Sequence, residues 1–118
     1  MFTPVKYTIT AFENTTLEKV LRFRDDNDNI IPLTGYTAEM QIRSSADDDT
    51  PEGIILELNT GNGGIIIDEE LGKLTIYIEN VLLSYIGVYD LLLFNGTKTY
   101  KPIKTSAFKV IPGVTIPT

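Results

Sequence analysis

The sequence predicts an all-β chain folded as a sandwich of two antiparallel sheets, with about seven to nine short strands. Three observations carry this expectation. Apolar residues recur at every second position in several segments. Turn-forming residues break the chain every eight to twelve residues or so, a spacing typical of sandwiches and barrels. The run Val88 to Phe94, rich in branched and aromatic side chains, is too short for a stable helix and ends in Asn95-Gly96, a hairpin signal. It reads as a buried central strand closed by a type I′ turn, with Thr97 to Tyr100 returning antiparallel.

In chain order, Val5, Tyr7, Ile9 and Ala11 alternate with Lys6, Thr8 and Thr10, the period of a half-buried strand. Glu13 to Thr16 forms a turn. Leu17 to Arg24 contains good helix formers, but Asp25-Asp26-Asn27-Asp28-Asn29 stops it after eight residues, so strand is preferred over helix. Pro32 interrupts Ile30 to Gly35, which places that piece at a sheet edge or in a loop. Thr37 to Arg43 is the cleanest strand, with Ala38, Met40 and Ile42 inward. A polar loop from Ser44 to Gly53 follows, then a strand from Ile54 to Asn59.

The glycines of Thr60 to Gly64 require a turn. Ile65 to Ile67 and Leu74 to Ile78 are the next strands. Asn80 is a candidate cap for one turn of helix through Tyr85, with Gly87 ending it. Ala107 to Ile111 is the last strand. The domain is expected over residues 1–111, with 112–118 as an extended tail. The expected core is Met40, Ile42, Leu56, Leu58, Leu74, Ile76, Ile78, Tyr89, Leu91, Leu93, Phe108 and Val110.

Composition narrows the function classes. The 118 residues suit one domain, and neither cysteine nor histidine occurs. There is therefore no disulfide, no thiolate site and no imidazole to act as general base or metal ligand. No run approaches the roughly 20 apolar residues of a membrane-spanning helix, and the N-terminus lacks a leader pattern. The chain is expected to be made in the cytoplasm, unprocessed and soluble, with no membrane partner. The net charge of −6 opposes nucleic-acid binding.

That charge is unevenly placed. Asp47, Asp48, Asp49, Glu52, Glu57, Asp68, Glu69 and Glu70 stand between Ser44 and Gly72 without a base, whereas residues 91–118 carry Lys98, Lys101, Lys104 and Lys109 without an acid.

The acidic turn at Asp25 has oxygen ligands at calcium-loop spacing, yet Ile30 and Tyr36 stand where an EF-hand needs glycine and glutamate. It is read as a solvated hairpin turn, and Asp47-Asp48-Asp49 as a loop tip. Gly61-Asn62-Gly63-Gly64 lacks the lysine and helix of a phosphate cradle. No nucleophile motif or metal-spaced cluster marks an active site, so no enzyme activity, cofactor, metal or small-molecule substrate is expected. The C-terminal lysines are read either as charges that keep a strand from pairing edge to edge, or as a basic edge that docks on another copy's acidic loops.

One ordered series of motifs goes further: Leu33-Thr34-Gly35-Tyr36-Thr37-Ala38-Glu39-Met40-Gln41-Ile42-Arg43, then Gly63-Gly64-Ile65, Gly72-Lys73-Leu74-Thr75-Ile76, Gly87-Val88-Tyr89-Asp90-Leu91, and Phe108-Lys109-Val110-Ile111-Pro112 with Val114-Thr115. From about Leu17 to Thr115 the chain resembles small structural proteins of tailed bacteriophages and prophages. It is similar to the immunoglobulin-like N-terminal domain of upper-baseplate and tail-fibre proteins. That pattern has a glycine shortly before the last strand, where this chain has Thr105-Ser106.

The resemblance implies an immunoglobulin-like β-sandwich that serves in the virion by protein–protein interaction, as a tail or baseplate connector, adaptor or decoration component. Its partners would be other virion proteins and copies of itself. A capsid decoration protein and a carbohydrate-binding sandwich are the alternatives, although the six tyrosines look scattered and tryptophan is absent. The candidate interface residues are Lys98, Lys101, Lys104 and Lys109, the acidic Asp47, Asp48 and Asp49, and Val114 and Ile116 in a tail that would lie extended across a neighbour.

Overall fold

The computed structural model describes residues 2–45, 53–81 and 86–113. They form eight strands: β1 (Ile9–Phe12), β2 (Leu17–Arg22), β3 (Thr37–Arg43), β4 (Ile54–Asn59), β5 (Ile65–Asp68), β6 (Lys73–Ile78), β7 (Ile86–Phe94) and β8 (Thr99–Ile111). A five-stranded sheet in the order β1-β8-β7-β3-β4 packs on a three-stranded sheet in the order β2-β6-β5. The sandwich predicted from the sequence is therefore the observed architecture.

One pairing departs from an antiparallel scheme: β1 runs parallel to β8, with Ile9 opposite Phe108 and Phe12 opposite Ile111. The turn after β1 carries the chain across to the other sheet, so β1 has no hairpin partner and takes the last strand as its neighbour. Asn14 holds a φ of 67° in that turn, and the Thr15 hydroxyl donates to the Phe12 carbonyl over 2.7 Å. The Asn14 amide reaches the Val81 carbonyl in 2.6 Å, which pins the crossing.

The two C-terminal pieces expected as separate strands are one strand of thirteen residues, β8, which passes through Pro102. Opposite β7, Tyr89, Leu91 and Leu93 face Ser106, Ile103 and Tyr100, so β8 spends an extra residue at each of two steps. These bulges keep the inward face inward and accommodate a proline that a regular ladder would reject. The hairpin between β7 and β8 also differs from a two-residue type I′ turn, since Phe94 pairs with Thr99 across residues 95–98. The Asn95 side-chain oxygen accepts from the amides of Thr97 and Lys98 at 3.0 and 2.8 Å. This side-chain cap stabilises the longer loop, and only Gly96 takes positive φ there.

The core contains ten of the expected residues: Met40, Ile42, Leu58, Leu74, Ile76, Tyr89, Leu91, Leu93, Phe108 and Val110. Leu56 and Ile78 are half-buried at its margin. Ile31 and Leu33, from the segment broken by Pro32, are buried although they belong to no strand. The Leu33 amide donates to the Glu69 carbonyl at 2.9 Å, so a loop-like backbone still delivers its side chain to the centre. Gly87 lies inside β7; a Cβ there would stand 2.5 Å from the Arg43 carbonyl oxygen, a close approach that only glycine permits. Residues 82–85, where a helical turn was expected, fall outside the described residues.

Candidate interaction surfaces

The N-terminal segment decides which edges the sandwich exposes. Before β1 the chain touches β8 through a parallel bridge of Val5 with Ile103. The Val5 amide donates to the Pro102 carbonyl at 3.1 Å, and the Lys104 amide donates to the Val5 carbonyl at 3.0 Å. At Tyr7 side chains take over. The Tyr7 amide donates to Ser106 Oγ at 2.9 Å, the Ser106 hydroxyl donates to the Lys104 carbonyl at 2.7 Å, and the Tyr89 hydroxyl donates to the Tyr7 carbonyl.

Tyr89 and Ser106 are both buried and stand opposite each other in the β7–β8 ladder. Together they satisfy both main-chain groups of Tyr7 where the ladder lapses. Burial pushes the Tyr89 phenol well above its ordinary value, with Tyr7 adding to the shift, so it stays a proton donor. Ser106 thus supplies the hydroxyl that the clamp uses.

Because this segment joins the five-stranded sheet, β2 is left as an edge strand that, among the described residues, pairs only with β6. An open cleft of 610 Å³ runs between the segment and β2, with Phe2, Val5, Leu21, Arg22, Phe23 and Ile103 on its walls. Lys19 Nζ bridges the seam lower down, 5.3 Å from the centre of the Tyr7 ring. At the upper end Phe2 packs on Phe23, Tyr36 and Tyr100 with ring centres 5.5, 6.0 and 5.4 Å apart. Two of the tyrosines that look scattered in the sequence, Tyr36 and Tyr100, are thus neighbours in one half-buried cluster, spent on packing.

The opposite flank is acidic. β4 and β5 are the edge strands there, and Glu57, Asp68, Glu69 and Glu70 lie on them or in the turn that follows. The acidic turn at Asp25 is a tight hairpin: the Asp25 carboxylate accepts from the amides of Asn27 and Asn29, each at 2.9 Å. Arg24 and Asp28 form an exposed ion pair at 3.8 Å. Among the described residues no group of three acids could hold a metal ion.

The candidate lysines fall elsewhere than expected. β8 lies between β1 and β7, so Lys101, Lys104 and Lys109 project from the interior of a sheet and not from a basic edge. All are exposed, and Lys101 Nζ pairs with the Asp90 carboxylate at 3.0 Å. Lys98 sits in the β7–β8 loop. Asp47, Asp48, Asp49, Val114 and Ile116 lie outside the described residues. Sequence reasoning missed the bare edges of β2 and β5, since alternation reveals a strand's faces but not its neighbours.

No family model matches the chain, and no curated protein matches it in sequence. Solved structures do match. A crystal structure of a chicken TCR aligns over 93% of this chain and 55% of its own length, with a TM-score of 0.56 at 11% identity. The chain spans about half of that protein. The fold is an immunoglobulin-like β-sandwich. Because 164 solved chains match, the scaffold by itself selects no function.

Proposed function

We propose that this protein is a structural component of a tailed-bacteriophage particle, acting by contact with neighbouring virion proteins and with copies of itself. The observation that carries the reading is the placement of large apolar side chains in water. Val5, Phe12, Val20, Ile66, Phe94 and Ile111 are each 37% to 56% exposed. Phe12 and Ile111 face each other across β1 and β8, and Val20 and Ile66 lie on the two edge strands of the smaller sheet. Apolar surface rimmed by charge is what a docking module presents.

The virion assignment is supported by the ordered motif series. Two of its glycines fall where backbones come close: Gly72 against the Ile31 carbonyl and Gly87 against the Arg43 carbonyl. The site of action would be the assembled particle, after synthesis in the bacterial host. Mass spectrometry of purified particles tests the reading. The protein should be recovered at a fixed ratio to other virion proteins, and its absence would remove this function.

A further inference from the structure

The two edges of the three-stranded sheet are complementary to one another. We propose that copies of this chain associate head to tail, β2 of one copy lying parallel to β5 of the next, so that the sheet continues through the assembly. This rests on the self-binding role proposed above and names its surface.

The hydrogen-bond phase comes first. The Phe23 amide donates to the Gly72 carbonyl and the Tyr77 amide to the Gly64 carbonyl. Main-chain groups alternate sides along a strand. The even residues Glu18, Val20 and Arg22 of β2 therefore turn their amides and carbonyls away from β6, and so do Ile65 and Ile67 of β5. β2 and β5 are both antiparallel to β6, and hence run in the same direction. A parallel bridge of Val20 to a neighbour's Ile66 needs the outward groups of Val20 on one side and of Ile65 and Ile67 on the other. Those are the groups available.

Side chains agree with that register. Across the sheet, Val20, Thr75 and Ile66 share one row, and Arg22, Lys73 and Asp68 share another. A neighbour joined at the same level would set Val20 beside Ile66 and Arg22 beside Asp68, all on the outer face. The apolar pair is exposed in the single chain, at 37% and 56%. Beyond that row the β2 edge is of mixed sign, with Glu18 and Lys19 also on the strand, whereas Glu69 and Glu70 follow Asp68 on the β5 side. Neither edge strand carries a proline, and β5 has no charge before Asp68, so the usual guards against edge pairing are sparse. Since both halves of the contact sit on one chain, a second copy is the occupant. Such a contact is heterologous and forms a ring where its rotation closes.

The experiment is sedimentation velocity of the purified full chain over a range of concentrations, with two sets of variants. Val20→Pro removes an amide proton that the single chain does not use; it should leave the circular dichroism unchanged and abolish association. Arg22→Asp and Asp68→Arg should each weaken association several-fold, and the double exchange should restore it. A wild-type chain that stays monomeric to about millimolar concentration, or a Val20→Pro chain that assembles normally, would overturn the proposal. If Val20→Pro fails to fold, the charge exchange decides alone, and lack of rescue overturns it. Particle analysis separates the two readings. Unchanged incorporation of the variants rejects the edge contact and keeps the virion role, whereas association in solution with absence from particles does the reverse.

Discussion

The hydroxyl of Tyr89 donates a hydrogen bond to the main-chain carbonyl of Tyr7, tying the middle of the central strand β7 to a residue 82 positions earlier. The partner side of the clamp is Ser106, which accepts from the Tyr7 amide. The N-terminal segment is thereby committed to the larger sheet although its ladder to β8 is discontinuous. Without these two side chains, the segment would have no defined register between Val5 and Ile9.

Tyr89→Phe removes one hydrogen bond with little change of volume, and should cost about 1 kcal/mol. Ser106→Ala, which loses a donor and an acceptor role together, should cost about 1–2 kcal/mol. Urea unfolding measures both. Amide exchange should show the loss of protection concentrated at residues 5–7, and uniform loss across the domain would mean that the clamp is not local.

The raised Tyr89 value has a pH consequence. Unfolded, the phenol loses its proton near pH 10, whereas in the folded chain it keeps it to higher pH. Its contribution is complete below about pH 10 and is lost as pH rises beyond that, at up to about 1.4 kcal/mol per pH unit. Thermal unfolding followed from pH 8 to 11 should show a steeper alkaline decline in the wild type than in Tyr89→Phe. Equal slopes would contradict this.

Leu91 is fully buried on β7, flanked by β3 and β8. Leu91→Ala should cost about 2–5 kcal/mol by chemical denaturation, the range for a cavity in a packed core. A loss below about 1 kcal/mol would mean that the two sheets collapse onto the gap.

Gly72→Ala probes a backbone constraint. Gly72 has a φ of 58°, and a Cβ would meet the Ile31 carbonyl oxygen at 2.4 Å and the Phe23 carbonyl oxygen at 3.2 Å. Left-handed strain and overpacking should together cost about 2–5 kcal/mol in urea unfolding. Gly96→Ala, also at positive φ but with nothing near its Cβ position, should cost distinctly less.

Alternation alone placed Ala38, Met40 and Ile42 on the inner face of β3 and Leu74 and Ile76 on that of β6, because period two is a local property of extended chain. Turn residues likewise marked most strand ends. The clustering of acids between Ser44 and Gly72, and of lysines beyond Asp90, was equally plain from the residues. What those charges face was decided by the tertiary fold. Strand order put β8 inside a sheet, so its lysines line a face, and made β2 and β5 the edges.

Tyr89 read as one more core position, and Ser106 only as a residue just before the last strand, until the fold brought the Tyr7 backbone between them. Asn95-Gly96 carried the signal of a two-residue turn, but the Asn95 carboxamide found two amides in a longer loop. Faces and the positions of turns follow from neighbours a few residues apart, so the sequence determines them. Edges, clamps and registers depend on which distant strands compete for the same main-chain groups, and packing two sheets around one core settles that competition.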